Sequence, residues 1–273
     1  MEKKVFVKAF SQISLRQEDP DYSKLFSILE ARRMSRLMKR ALTVSRQTLE
    51  KAGIAVPDAI ITGTGLGCIE YTEYFLKSLT GVSDAPLRPT HFMQSTHNTI
   101  GSLIAIRLGC HGYNATYSHG FVSFESALLD AFVQLRLGML DNVLVGAFEE
   151  MTPDFAAMLA KTGREAVRQG DRLSETAASF LLDTRPEGAL CELCAVDLSA
   201  CPPCSAANES DPTRHISRSD LILKYGDNDC VSALGACDAV ETIASGVCDR
   251  ARLDNYVPGE TGSTLIFGKV CGK

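Results

Sequence analysis

Residues 113–147 read YNATYSHGFVSFESALLDAFVQLRLGMLDNVLVGA, and this stretch decides the fold. Its first residues, Tyr113–Ser118, are rich in aromatic and β-branched types, as a strand needs. Phe124, Ala127, Leu128, Ala131, Phe132 and Leu135 then recur at helical spacing, the cleanest amphipathic helix in the chain, and Gly138 ends it. Asn142–Ala147 follows as a short apolar run, read as a buried strand. A strand, a crossover helix and a second strand form the unit of a parallel α/β sheet.

Working outward, the same alternation continues. Upstream, Lys4–Phe10 reads as a strand, and residues 31–52 carry Met34, Leu37, Met38, Ala41, Ser45, Leu49 and Ala52 at helical spacing. Gly53 and Pro57 stop that helix. Ala59–Thr62 is a second strand that runs into the turn Gly63-Thr64-Gly65-Leu66-Gly67. Two more helices are expected, one around Ile69, Phe75, Leu76 and Leu79, the other over 98–108. Downstream, Ala177–Leu182 reads as a strand and 201–219, rich in Pro, Ser and charge, as a loop or linker. Asp220–Lys224 reads as a strand, Gly226–Asp229 as a turn, 232–247 as a helix and Ser263–Val270 as the last strand. No repeat of solenoid period is visible.

Composition narrows the function. The chain has 273 residues, 45% hydrophobic and 22% charged, enough for a sizeable core. A formal net charge of −5 gives no reason to expect nucleic acid or an anionic membrane as a partner. No apolar stretch approaches the roughly 20 residues of a membrane span, and MEKKVFVKAFSQIS lacks the apolar core of a signal peptide, so a cytoplasmic location is expected. The ten cysteines then read as reduced thiols. Cys191, Cys194, Cys201 and Cys204 have the paired CxxC form of a four-thiolate zinc site, but AVDLSA between the pairs alternates like a strand. Incidental strand cysteines are the better reading, and no metal or cofactor is expected.

The order of motifs resembles that of the β-ketoacyl-ACP synthases of the thiolase superfamily. Gly63–Gly67 resembles their early GTGxG turn, and Asn98-Thr99-Ile100-Gly101 with Gly109 and Gly112 their approach to the nucleophile strand. Leu135–Gly138, Asp141 and Val143–Glu149 resemble their helix, turn and strand closing on a glutamate, and Ser174–Leu182 their return strand. Arg32–Arg36, Gln94–Thr99 and Ser123–Ala131 are most similar to the ketosynthase-like proteins of aryl-polyene, flexirubin and dialkylresorcinol pathways, some of them chain-length-factor-like. The resemblance implies a layered α-β-α-β-α fold of two similar halves, here 1–185 and an abridged 186–273 forming one compact unit.

It also implies a chemistry. A condensing enzyme needs a cysteine thiolate at the start of a buried helix, where free N–H groups and the helix dipole favour the anion. Counting back from Gly138 and forward from Gly112 both land on Phe121, which cannot form a thioester. Ser118 with His119 as base, and Cys110 beside His111, are the alternative nucleophiles. The family's two histidines, or a histidine and an asparagine, come from the second half. Near Tyr225–Asn228 this chain offers Asp227 and Asn228, and at Tyr256–Ser263 it has no histidine. The expected function is therefore a non-catalytic ketosynthase-like subunit of chain-length-factor type in polyene, polyketide or fatty-acid-like biosynthesis. The alternative is an active β-ketoacyl-ACP synthase with a non-standard nucleophile. The expected partners are a second copy or an active ketosynthase, paired through the strand Tyr113, Asn114, Ala115, Thr116, Tyr117 and Ser118, with acyl carrier protein also possible.

Overall fold

The computed structural model describes residues 2–14, 18–82, 86–161, 173–199 and 213–270. Among these residues nine strands form one sheet in the order β3-β2-β4-β5-β1-β6-β9-β8-β7. The first five are β1 (Val5–Ser14), β2 (Ala59–Gly63), β3 (Tyr113–Tyr117), β4 (Asn142–Glu149) and β5 (Thr176–Asp183). The rest are β6 (Cys191–Ser199), β7 (Thr213–Ser217), β8 (Arg250–Asn255) and β9 (Gly262–Gly268). β3, β2 and β4 run parallel, β5 pairs antiparallel to both β4 and β1, and β1 meets β6 only over Val5–Val7. β7 lies parallel to β8, and β8, β9 and β6 pair antiparallel. The second set thus repeats the arrangement of the first with one strand fewer.

The helices are α1 (Ile28–Ala31), α2 (Arg36–Ala52), α3 (Ile69–Leu79), α4 (Pro89–Gln94), α5 (Thr99–Leu108), α6 (Ser123–Arg136), α7 (Pro153–Lys161), α8 (Arg218–Tyr225) and α9 (Val231–Ala244). Ser35 caps α2 by accepting from Met38 N at 3.2 Å, and Gly53 closes it in the left-handed conformation. α2 and α5 cover one face of β1–β5, packing Leu37, Met38, Val44 and Ile104 on Ile60, Leu144 and Leu181. The opposite face packs on α6 and α9, whose Phe124, Leu128, Leu234 and Val240 share one core with Val145 and Phe180 of the first strands and Leu253 and Leu265 of the last. These two helices are therefore the central layer between the two parts of the sheet. The end of β2 comes so close to the start of α6 that a Cβ on Gly63 would lie 2.4 Å from the Ser123 carbonyl oxygen. Only glycine admits that approach.

On the outward side of β7–β9, His215, Arg252 and Thr264 all bond to Asp254. Two expectations are corrected in this region. Asp220–Lys224 is not a strand but part of α8, because Ser217 and Asp220 form a capping box that starts a helix. Leu221 and Ile222 turn inward while Leu223 is exposed, a helical and not an alternating pattern. Residues 213–217, read as part of a loop, are β7, while 200–212 lie outside the described residues. Among the described residues, no helix is long and apolar enough to cross a membrane.

Candidate functional site

After Tyr117 the chain passes through one tight turn, Gly120–Val122, into α6. The position found by counting lies here, and Phe121 is buried. The Arg218 guanidinium covers its ring at 4.5 Å from the centroid, a cation–π contact away from water. The Phe121 carbonyl accepts from Asn255 Nδ2 at 2.6 Å, and the same amide nitrogen donates to Glu125 Oε1 at 2.7 Å. Ser263 Oγ donates to that carboxyl oxygen at 2.9 Å.

Arg218, the first residue of α8, joins this group to the turn before α9. Its Nη1 donates to Asn255 Oδ1 at 2.9 Å, and its Nη2 donates to Asp227 Oδ1 and to the Asn228 carbonyl. Asn228 is fixed from the other side. Its amide donates to Ser174 Oγ at 2.9 Å, and its carbonyl oxygen accepts from Thr176 Oγ1 at 3.1 Å and from Cys230 N at 2.9 Å. Of the two second-half segments where the family resemblance would place histidines, 225–228 reaches Phe121 through the Asp227–Arg218 contact, and 256–263 reaches the neighbouring Glu125 through Ser263. With Asn255, which precedes the second segment, they bring a buried carboxylate, two amides and a hydroxyl.

Electrostatics reinforce this arrangement. Glu125 is wholly buried, and burial pushes its carboxyl above the ordinary range, only partly offset by the hydrogen bonds from Asn255 and Ser263. Behind it, the Gly63–Gly67 turn is held by Glu149, which accepts from Gly65 N at 2.6 Å and Leu66 N at 3.0 Å. The Cys230 thiol, at the start of α9, points to Gly63 O at 3.5 Å and Glu149 Oε2 at 3.7 Å. Burial and then the carboxylates Glu149, Asp229 and Glu125 raise its pKa well above the ordinary thiol value. It is a neutral thiol, the wrong form for a nucleophile.

The other candidates are placed as follows. Ser118 Oγ donates to Gly65 O at 3.3 Å, while His119 Nδ1 meets Ser126 Oγ at 2.9 Å and His119 N donates to Ser123 Oγ at 2.9 Å. Among the described residues Ser118 and His119 therefore form no nucleophile–base pair. Cys110 is buried at the opposite end of β3 from Phe121, its thiol on the Pro57 carbonyl at 3.3 Å. Cys191 is buried in the core, while Cys194 is exposed and lies against Gly268. Cys201 and Cys204 lie outside the described residues. Tyr113–Tyr117 is an edge strand, paired on one side only.

Arg218, Asn255, Glu125 and Ser263 were not singled out by the sequence. The signal that marks them is a polar residue at an inward-facing place on an element otherwise apolar on that side, such as Asn255 after Leu253 and Ser263 before Leu265.

Comparisons with known proteins bear on this arrangement. The family model described as "Beta-ketoacyl synthase, N-terminal domain" matches residues 9–216. Among solved structures, one described as "AntDE:AntF (apo): type II PKS acyl-carrier protein in complex with its ketosynthase bound to the hexaketide" superposes with a TM-score of 0.80 at 15% identity. The match covers 99% of this chain and 100% of that one. The ishigamide ketosynthase/chain length factor gives 0.73 at 15% identity, covering 99% and 100%. The ketosynthase ApeO in complex with its chain length factor ApeC from Xenorhabdus doucetiae gives 0.71 at 11%, covering 98% of each chain. At these identities the likeness establishes a thiolase-like ketosynthase fold. Among curated proteins none matches significantly.

Proposed function

The chain belongs to the β-ketoacyl synthase family, and we propose that within it the protein is a non-catalytic subunit of chain-length-factor type. In this reading it pairs with an active ketosynthase in polyketide, polyene or fatty-acid-like synthesis. One observation carries it: where a condensing enzyme of this family would hold its thiolate, Phe121 lies buried under the Arg218 guanidinium. A thioester needs a nucleophile at the start of α6 and hydrogen-bond donors aimed at the acyl oxygen. Here the nearby donors of Asn255 and Arg218 are committed to Phe121 O, Glu125 and Asp227. The space is used for packing.

The role of partner is supported by the open edge of the sheet. Among the described strands β3 is outermost and bonds to β2 alone, and an uncovered edge is a template for a second strand. A partner's equivalent strand meeting Tyr113–Ser118 across a twofold axis continues the sheet through both subunits. The partner is a second copy or, in the working complex, a cysteine-containing ketosynthase, with acyl carrier protein docking on the pair. The cytoplasm is the compartment of such a complex.

The test is intact-mass measurement after incubation with malonyl- and acyl-loaded carrier protein, with and without the cognate ketosynthase. No acyl adduct on this chain is expected, together with a mass by light scattering that corresponds to a pair. A stable acyl mass lost in Ser118→Ala or Cys110→Ala overturns the non-catalytic reading. A monomer at micromolar concentration, alone and with the ketosynthase, overturns the partner role.

A further inference from the structure

The open edge of β3 carries a charge beside its middle. Side chains of a strand alternate between faces. Toward α6, β3 shows Tyr113, Ala115 and Tyr117, the last two packed against the core that α6 shares. Asn114 and Thr116 point the other way, to Gly101 O of α5 and Thr62 Oγ1 of β2. On α6, Ser126, Asp130, Val133 and Leu137 recur at helical spacing and form one stripe. Asp130 Oδ2 accepts from Tyr113 OH at 3.1 Å, and Oδ1 from Gln134 Nε2 at 2.8 Å. Burial, and then Asp130, push the Tyr117 phenol up to about 12. Asp130 therefore lies between the two phenols, level with Ala115 at the centre of the strand. Val133 is 43% and Leu137 62% exposed, so the stripe extends the strand edge with apolar surface.

Both donors to the Asp130 carboxylate are neutral, and among the described residues no cation pairs with it. An interface that closes over such a group must bring it a cation or bear the cost of an unpaired charge. Twofold symmetry fixes what a second copy could bring. Antiparallel pairing of β3 with its own copy, centred on Ala115, sets the two α6 stripes side by side, and Asp130 meets Asp130 of the partner subunit across the axis. The rest of the stripe, Ser126, Val133 and Leu137, holds no cation. Arg136 of α6 is paired with Glu2 and stacked on Phe132, and His119 Nδ1 is held by Ser126 Oγ. Like charges facing each other weaken self-pairing. We propose that Asp130 selects the partner: the β3 edge takes a non-identical chain of the same fold that presents a lysine or arginine opposite Asp130, and it disfavours a second copy. This rests on the pairing through β3 proposed above, and it decides between the two partners named there.

The experiment measures association of the full chain by sedimentation velocity at micromolar concentration and low salt. Wild type, Asp130→Asn and Asp130→Lys are run singly, wild type is mixed with Asp130→Lys in equal amounts, and wild type and Asp130→Lys are each mixed with the cognate ketosynthase. Hydrogen exchange of Tyr113–Tyr117 locates the contact. The mixture of wild type with Asp130→Lys is expected to pair roughly tenfold or more tightly than either chain alone, with Asp130→Asn pairing with itself more tightly than wild type does. At about 1 M NaCl, where charges are screened beyond about 3 Å, most of the advantage of the mixture should vanish. Pairing with the ketosynthase should weaken roughly tenfold or more in Asp130→Lys. The proposal is overturned if wild type pairs with itself as tightly as the mixture does, if Asp130→Asn gains nothing, or if the ketosynthase takes wild type and Asp130→Lys equally. No pair in the mixture, or a pair that leaves Tyr113–Tyr117 unprotected, also overturns it. The ketosynthase sample separates the two failures: protection of Tyr113–Tyr117 there keeps the β3 pairing, and its absence removes the pairing as well.

Discussion

Replacing Arg218 by Ala tests the packed-site reading most directly. The guanidinium is buried, pairs with Asp227, itself fully buried, bonds to Asn255 Oδ1 at 2.9 Å and covers Phe121. Truncation leaves a buried carboxylate without its counter-ion. Breaking a buried pair in this way costs about 3–5 kcal/mol, much of it the stranded charge and not the pair's net worth. The loss of the cation over the ring lies within that range, since contributions from groups in contact do not add. For domains of roughly this size each kcal/mol is about 2–4 °C in Tm, so a fall of roughly 6–20 °C is expected. Urea unfolding followed by circular dichroism at pH 7 measures the free-energy loss, and thermal unfolding the fall in Tm. Arg218→Met/Asp227→Asn, which removes both charges at similar volume, should recover more than half of the loss. If Arg218→Ala stays within about 1 kcal/mol of wild type, or the double variant is no better than the single, the ion pair does not hold this site together and the reasoning fails.

Phe121→Cys places a thiol at the start of α6 beneath Arg218, where the thiolate is favoured. Peptide mapping after iodoacetamide at pH 7 should show it labelled well ahead of Cys68 and Cys230, whose burial raises their pKa values, and equal rates would refute the electrostatics. Glu150→Gln bears on pH dependence. Burial, with smaller contributions from Glu70, Glu175 and Glu73, pushes the Glu150 carboxyl up to about 7. The native state therefore keeps a proton that the unfolded chain loses near its ordinary value, and wild-type stability falls as pH rises through that window, levelling above 7. The Gln variant lacks this decline, so its advantage should grow from near zero at pH 4 to on the order of 3 kcal/mol at pH 8; a pH-independent difference would contradict it. Gly63→Ala forces a Cβ to 2.4 Å from the Ser123 carbonyl, and should cost about 1–3 kcal/mol in urea unfolding. A neutral outcome would mean that β2 and α6 separate freely.

What the sequence made legible follows the range of the interactions. β2, β4 and β5 are short apolar runs buried along their length, so their residue types alone mark them. Counting from Gly112 and from Gly138 leads to the same residue, Phe121, because a strand and a helix of fixed rise leave little slack. α8 was misread because Leu221-Ile222-Leu223 is too short to distinguish strand from helix by period, and the Ser217–Asp220 capping box decides it. β7 was hidden by its polar residues, Thr213, Arg214 and His215, which leave Ile216 as its one buried apolar side chain and no alternation to read. The surroundings of Phe121 were illegible for a different reason. Asn255 reaches its carbonyl across 134 residues of chain, and no local pattern encodes a contact of that span.

The position of β1 in the middle of the sheet has a consequence for synthesis. Its neighbours on both sides are β5 and β6, and Ser14 pairs with Thr176. A ribosome adding about 5–20 residues per second therefore leaves the first strand without either partner for many seconds after it emerges. Until then Val5, Val7 and Ile13, all buried in the finished molecule, have no sheet to join. The nascent chain carries a sticky unpaired segment, and its vectorial folding is delayed by topology and not by any weakness of local structure. Early expression yield should consequently respond to holdase chaperones and to translation speed more than to stabilising substitutions in the helices.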